Sequence, residues 1–297
     1  MEMIEVEAFV AIAQAGGFTR AAAVLHLSQP AVSRRIELLE RELGAPLFER
    51  VRGGTQLTDA GHAFLPHAQR LLAAARDGAA AVQAGNEEAS GTVTLALVGT
   101  LANTTLTARL AAFRAAYPMA RLMLRTARSD EVGALVRQGE VHLGLRYFDD
   151  PHPDLTYISA GEESLRVIGA AQSRLVPGDA QTPHALAGVP WVAFPVGAGA
   201  SGEPFARVLA RQLTRAGLED AEIVAIDSLT AQKRLVEADF GVGLLPESSV
   251  VEELRLGTVR VIPVAAMETT VPIMLVYRSD GYLTYAVRQL IVALTSA

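Results

Sequence analysis

The chain reads as three parts in series: a small helical unit with a helix-turn-helix and a β wing, one long helix, and a C-terminal α/β domain. Three observations predict this. Through the first sixty residues, apolar side chains recur at helical spacing between capping signals. An alanine-rich stripe then runs from Asp59 to about Ala84. Beyond residue 90, short strands and helices alternate.

Composition sets the bounds. The 297 residues are half apolar and carry a net charge of −6, enough chain to bury a core in two domains or three small ones. There is no cysteine, which excludes a disulfide scaffold, a thiolate zinc site, a cysteine nucleophile and a thiol redox sensor. The N-terminus carries acids where a signal peptide carries bases, and no apolar run reaches the roughly 18 residues of a membrane helix. A soluble, cytoplasmic protein without a membrane partner is the expectation.

Met3 to Ala15 places Val6, Phe9, Val10 and Ala13 on one helical face, and Gly16-Gly17 stops it. A second helix is expected with Thr19 as its cap and Ala21, Ala22 and Leu25 inward. Ser28 caps a third, with Gln29 and Pro30 in its first turn, where the missing proline N–H costs nothing. Val32, Ile36, Leu39 and Leu43 form its buried side, and Gly44 ends it. Two short helices joined by His26-Leu27-Ser28 describe a helix-turn-helix. The exposed first turns of the third helix offer Gln29, Ser33 and Arg34, residue types that bond base edges or phosphates. Pro46-Leu47-Phe48 leads into a hairpin whose tip, Arg50-Val51-Arg52-Gly53-Gly54, suits insertion into a minor groove. The acidic total argues against nucleic acid, yet residues 18–56 hold six arginines against four glutamates, leaving −8 on the rest. An ordinary three-helix subdomain with solvated arginines is the plainer alternative.

The runs Gly17-Phe18-Thr19-Arg20-Ala21-Ala22, Leu25-His26-Leu27-Ser28-Gln29-Pro30-Ala31-Val32-Ser33-Arg34, Pro46-Leu47-Phe48-Glu49-Arg50 and Leu57-Thr58-Asp59-Ala60-Gly61 resemble the N-terminal signature of LysR-type transcriptional regulators. The resemblance implies a winged helix-turn-helix that binds double-stranded promoter DNA. It puts Phe18, Thr19, Arg20, Ser28, Gln29, Pro30, Ser33, Arg34, Arg50 and Arg52 at that interface.

Thr58 caps the long helix, and Asp59 suits the positive end of its dipole. At 1.5 Å per residue, Asp59 to Ala84 spans about 39 Å. Its narrow stripe (Phe64, Leu65, Ala68, Leu71, Leu72, Ala75, Ala79 and Val82) reads as a dimerisation seam, and Pro66 is expected to kink it or be absorbed near its start. The resemblance implies antiparallel pairing of two chains here. Gly85-Asn86-Glu87-Glu88-Ala89-Ser90-Gly91 reads as a hinge.

The remaining alternation predicts mostly parallel sheets, with ligands beyond the carboxyl ends of strands. Expected strands are Thr92–Val98, Ala120–Thr126, Val141–Leu145, Leu165–Ala170, Trp191–Phe194, Glu222–Ile226, Val242–Leu245, Val259–Val264 and Val271–Arg278. Expected helices are Leu101–Ala116, Asp130–Gln138, Pro204–Ala216, Leu229–Ala238, Ser248–Leu254 and Tyr282–Leu294. Enzyme-like motifs fail on inspection. Gly197-Ala198-Gly199-Ala200-Ser201-Gly202 matches a dinucleotide fingerprint, but Pro204 would then sit inside its helix and Glu203 would face the pyrophosphate. Ser201 lacks the glycine spacing of a hydrolase elbow. His142 and His152, near Asp149, Asp150 and Asp154, have no spacing that forces convergence on a metal. His62 and His67 sit about 140° apart on a helix. Neither a catalytic constellation nor a cofactor is expected.

The LysR resemblance continues more weakly. Gly139-Glu140-Val141-His142-Leu143-Gly144 is similar to the family's Gly-x-x-Asp-x-Gly, with His142 replacing the aspartate, and Phe240-Gly241-Val242-Gly243-Leu244-Leu245-Pro246 is similar to its glycine-rich strand. It implies a periplasmic-binding-protein-like effector domain of two hinged subdomains. The division is then residues 1–58 for the DNA-binding domain, 59–90 for linker helix and hinge, and 91–297 for the effector domain, split into 91–161 plus 266–297 and 162–265. Position nominates Thr100, Asn103, Arg128, Ser129, Arg146, Tyr147, Ser201 and Phe205 as pocket residues. Hydroxyls beside free helix N–H groups, with an arginine fork, suit a carboxylate, so a small organic or aromatic acid is the expected effector. A dimer, a dimer of dimers and contact with RNA polymerase complete the expected partners.

Overall fold

The computed structural model describes all residues except 52–53, 84–90, 103, 179, 197–203 and 297, and the side chains of Arg50, Gln83 and Thr104 are likewise outside the description. Helix α1 spans Met3–Ala15, with the Glu2 N–H donating to Glu5 Oε2 (2.8 Å), and Gly16 ends it at φ +68°. Helix α2 spans Phe18–Val24 and starts from Gly17, so Thr19, expected as the cap, lies inside it. Two consecutive glycines turn the chain at once, and the helix begins before a side-chain cap is needed. Helix α3, Gln29–Leu43, is capped by Ser28 Oγ, which accepts from the Ala31 N–H (3.3 Å). Val32, Ile36 and Leu39 are buried, whereas Leu43, expected with them, is 40% exposed where Gly44 turns the chain away.

The wing is the antiparallel pair β1 (Phe48–Val51) and β2 (Gly54–Leu57). Glu40 ties it to α3, its Oε1 accepting from the N–H groups of Leu47 (2.7 Å) and Phe48 (3.2 Å). Helix α4, Asp59–Gln83, is capped by Thr58, whose Oγ1 accepts from the Gly61 N–H (3.0 Å), and Pro66 lies within it. A Cβ on Gly61 would sit 2.2 Å from the Leu47 carbonyl oxygen, so α4 meets the wing only through glycine. Phe9, fully buried, packs against Phe48 of the wing (5.3 Å) and Phe64 of α4 (5.1 Å), joining three elements in one core.

The C-terminal part runs β3 (Gly91–Val98), a 3₁₀ turn (Gly99–Leu101), α5 (Thr104–Ala116), β4 (Ala120–Ala127), α6 (Ser129–Arg137), β5 (Leu143–Tyr147) and β6 (Leu155–Ala170). It continues through β7 (Trp191–Ala193), α7 (Pro204–Arg215), β8 (Ile223–Ala225), α8 (Leu229–Glu237), β9 (Gly243–Pro246), α9 (Val251–Leu256), β10 (Val259–Val261), β11 (Thr269–Arg278) and α10 (Tyr285–Thr295). The large sheet has the order β10-β6-β11-β5-β3-β4, with β9 also on β6, while β7 and β8 form a separate parallel pair. The expected mostly parallel sheet is therefore corrected to a mixed one. β3 pairs in parallel with β4 and β5, but β6, β9, β10 and β11 pair antiparallel. The reason is topological: β6 carries the chain from one lobe to the other, and β11 must bring it back alongside.

β6 begins ten residues before the expected Leu165, because its first half repeats no clean period-2 pattern while pairing with β11. The helix expected from Leu101 is a 3₁₀ turn followed by α5, and the one expected from Tyr282 starts at Tyr285, capped by Thr284. No helix among the described residues is long and apolar enough to cross a membrane. Phe9→Ala is expected to destabilise the head by about 3–5 kcal/mol. Hydrogen exchange across α1 and α3 measures it.

Candidate nucleic-acid interface and ligand cleft

A groove of about 690 Å³ separates the start of α2 and the exposed side of α3 from the wing. Phe18, Thr19, Arg20, Gln29 and Ser33 line it, opposite Val51, Gly54 and Thr55. Local contacts sort these residues. Phe18 packs edge-on against Phe48 (5.7 Å), and the Arg20 guanidinium donates to the Gly16 carbonyl (2.6 Å), closing the end of α1. Ser28 is occupied as the α3 cap, and Gln29 Nε2 donates to Ser33 Oγ (2.8 Å). Pro30 and Arg34 are exposed on the first turns of α3. Arg50 lies in β1, and Arg52 lies outside the described residues.

The second site lies between the lobes of the C-terminal part. Strand ends and helix starts converge there because parallel strands point their carboxyl ends, and the helices after them their N–H groups, the same way. The cleft, about 750 Å³, is lined from one lobe by Val98–Thr100 at the end of β3 and Thr126–Arg128 at the end of β4. The other lobe contributes Phe194 after β7, Asp227–Thr230 at the start of α8, Lys233, Ser248, Ser249 and Glu253. Thr100 is only 7% exposed, and its Oγ1 has no hydrogen-bond partner among the described residues. Ser129 Oγ, at the first position of α6 behind Arg128, is equally buried and equally unpartnered. Buried hydroxyls are normally bonded, so each is a donor held in reserve. Arg128 reaches Asp130 through Nε (3.2 Å) and Nη2 (3.3 Å), and Lys233 donates to the Ser249 carbonyl (2.9 Å) and Glu253 Oε1 (2.6 Å).

Of the eight pocket residues nominated from sequence, Thr100 and Arg128 line the cleft and Ser129 adjoins it. Asn103, Ser201 and the whole Gly197–Gly202 run lie outside the described residues. Arg146 and Tyr147 are not among the lining residues: Arg146 is buried and pairs with Asp150 (3.4 Å), and Tyr147 is fully buried with its ring 4.6 Å from Phe205. Phe205 in turn faces Phe194 (6.3 Å), so an aromatic row joins β5 of one lobe to the cleft wall of the other. The sequence reading missed Asp227, Ser228, Lys233, Ser248 and Glu253. The signal existed: Ser228 follows β8 and caps α8, accepting from the Ala231 N–H (3.4 Å), the same pattern that nominated Ser129.

His142 stands where the resemblance implies an aspartate, and the structure gives it a place far from the cleft lining. Its Nδ1 lies 3.0 Å from the Thr94 N and 2.7 Å from Thr94 Oγ1, and its own N–H donates to Thr94 Oγ1 (2.9 Å). Accepting from the Thr94 N–H requires an unprotonated Nδ1. Burial holds the His142 pKa below its ordinary value, Arg76 and Arg278 push the same way, and Asp77 opposes them.

The fold and the two sites together define a DNA-binding regulator with a ligand-sensing domain. Family models match both parts: a bacterial regulatory helix-turn-helix protein of the lysR family over residues 4–62, and a LysR substrate binding domain over residues 86–297. The chain belongs to the LysR family of transcriptional regulators. It is 35% identical over 283 residues to the HTH-type transcriptional regulator TfdS of Cupriavidus pinatubonensis, covering 95% of this chain and 94% of that one. It is 28% identical over 283 residues to ClcR of Pseudomonas putida, covering 94% of each. The crystal structure of CbnR, a LysR family transcriptional regulator, matches with a TM-score of 0.70 at 27% identity over 99% of this chain and 98% of that one. Full-length CbnR complexed with its target DNA matches with 0.68 at 28% identity over 99% of both. These relatives are regulators, and this chain is a transcriptional regulator rather than an enzyme.

The linkage at His142 has a definite sign. The unfolded chain takes up the proton near 6.5, before the folded one does, so stability is full above that pH and falls as pH is lowered through it. The melting temperature is expected to fall below about pH 6.5 in the wild type and to fall less steeply in His142→Asn.

Proposed function

We propose that this regulator holds promoter DNA with α3 and the wing, and that a small organic or aromatic acid bound between the C-terminal lobes alters that hold. The buried Thr100 hydroxyl at the cleft, without a hydrogen-bond partner among the described residues, carries the acid reading. Thr100 follows β3, and Ser129 opens α6 after β4, the strand paired with β3; hydroxyls so placed suit one carboxylate. Glu131, Asp227, Glu252 and Glu253 also line the cleft, against Arg128 and Lys233, which are already engaged. That balance favours one acid group over two.

The effector must bind one arrangement of the lobes better than the other, since only differential affinity shifts an equilibrium. α4 is the dimer seam, spacing two heads on the promoter, and a dimer of dimers bends the DNA between them. RNA polymerase is the further partner this reading implies. The domain limits follow the same reading: head to residue 58, linker and hinge to 90, effector domain from 91.

A thermal-shift screen of the full chain against aliphatic and aromatic carboxylates tests the cleft. A ligand at about 100 times its dissociation constant adds roughly 2.7 kcal/mol, a visible shift that Thr100→Val should abolish. If no acid shifts the wild type, the acid reading falls. Arg34→Ala is expected to cost about 1–3 kcal/mol of specific affinity for a duplex selected by the wild-type chain, read by gel-shift titration. Equal affinity would remove Arg34 from the base-reading set.

A further inference from the structure

The turn between α6 and β5 brings all three parts of the chain together. Gly139 has φ +67°, and a Cβ there would lie 2.3 Å from the Ala73 Cβ, so α4 passes at the closest approach a backbone permits. Arg76 Nη2, also on α4, donates to the Gly139 carbonyl (3.1 Å). Glu140 comes next. Its Oε1 accepts from Gln14 Nε2 in the last turn of α1 (3.0 Å) and from Gln69 Nε2 of α4 (3.4 Å), while its Oε2 pairs with Arg125 of β4 (3.1 Å). One carboxylate thus touches the head, the long helix and the sensing domain. A second clamp lies nearby: Arg278 of β11 pairs with Asp77 of α4, whose Oδ2 also accepts from the Tyr282 N–H (3.3 Å).

The path from this joint to the cleft is short and rigid. α6 begins beside the cleft, where Arg128 and Glu131 line it, and ends two residues before Gly139. Nine helical residues span about 14 Å. The helix is pinned to the sheet by buried Val132, Leu135 and Val136, and a Cβ on Gly144 of β5 would lie 2.5 Å from Val132 Cγ1. A close-packed rod of this kind moves as a body, so a displacement at its start reaches the turn at its end. We propose that Glu140 is the positioning residue through which the state of the cleft sets the attitude of the DNA-reading head, with α6 as the rod between them. This rests on the cleft being the effector site.

Coupling between two sites is reciprocal, so DNA serves as the probe while the effector is unidentified. Hydrogen exchange of the full chain is measured with and without a selected duplex. In the wild type, the duplex is expected to change exchange at least twofold across residues 128–140. Glu140→Ala should abolish that change and Gln14→Ala, at an exposed position, should reduce it, with protection at the α3 face on DNA retained in both. An equal change in wild type and both variants overturns the proposal, as does no change in the wild type. The acid reading is scored separately by the carboxylate screen, so a failure of one is not mistaken for a failure of the other.

Discussion

The antiparallel ladder between β6 and β11 is the constraint on which the sensing domain depends. Its register runs from Leu155 opposite Arg278 to Leu165 opposite Thr269, broken once between Pro272 and Met274. Beyond Leu165, β6 leaves β11 and pairs with β9 and β10 instead. The lobes are therefore joined through strands and not through a flexible tether. A relative movement of the lobes would bend these two strands. Glu163 sits at the crossing, buried, with its carboxylate accepting from Ser248 Oγ (2.5 Å). Burial raises its pKa, and the Ser248 bonds pull the other way.

From that ladder the rest follows. With β5 against β11 and β3 against β5, the carboxyl ends of β3 and β4 face those of β7 and β8 across the gap. Thr100, Arg128 and Glu131 stand on one side and Asp227, Ser228, Lys233, Ser248, Glu252 and Glu253 on the other, and the aromatic row Tyr147–Phe205–Phe194 packs one lobe against the other. At the opposite ends of the same strands, the turn after α6 rests on α4. Cleft and head are thus on opposite ends of one set of elements, which is the geometry a relay needs.

Much of this was legible in the residues, and the reason is local. Caps, glycine stops and 3.6-residue periodicity are short-range signals, so α1, α3, the wing and α4 lie within a residue or two of their expected limits. Thr100 and Arg128, nominated because each follows a strand, do line the cleft, and Ser129 adjoins it. Where the reading departed, a long-range contact had intervened. The first half of β6 is specified by β11, more than a hundred residues away, and Arg146 with Tyr147 turned inward because Asp150 and Phe205 receive them.

Sequence alone determined the identity and order of the elements, the helix-turn-helix with its exposed Gln29 and Arg34, and the family. These rest on spacing along the chain, which needs no knowledge of the fold. Tertiary structure decided the mixed sheet, the second wall of the cleft with Lys233 and Glu253, and the meeting of Gln14, Gln69 and Arg125 on Glu140. Those depend on which distant segments are brought side by side, and a polar side chain carries no local mark of the partner it will meet.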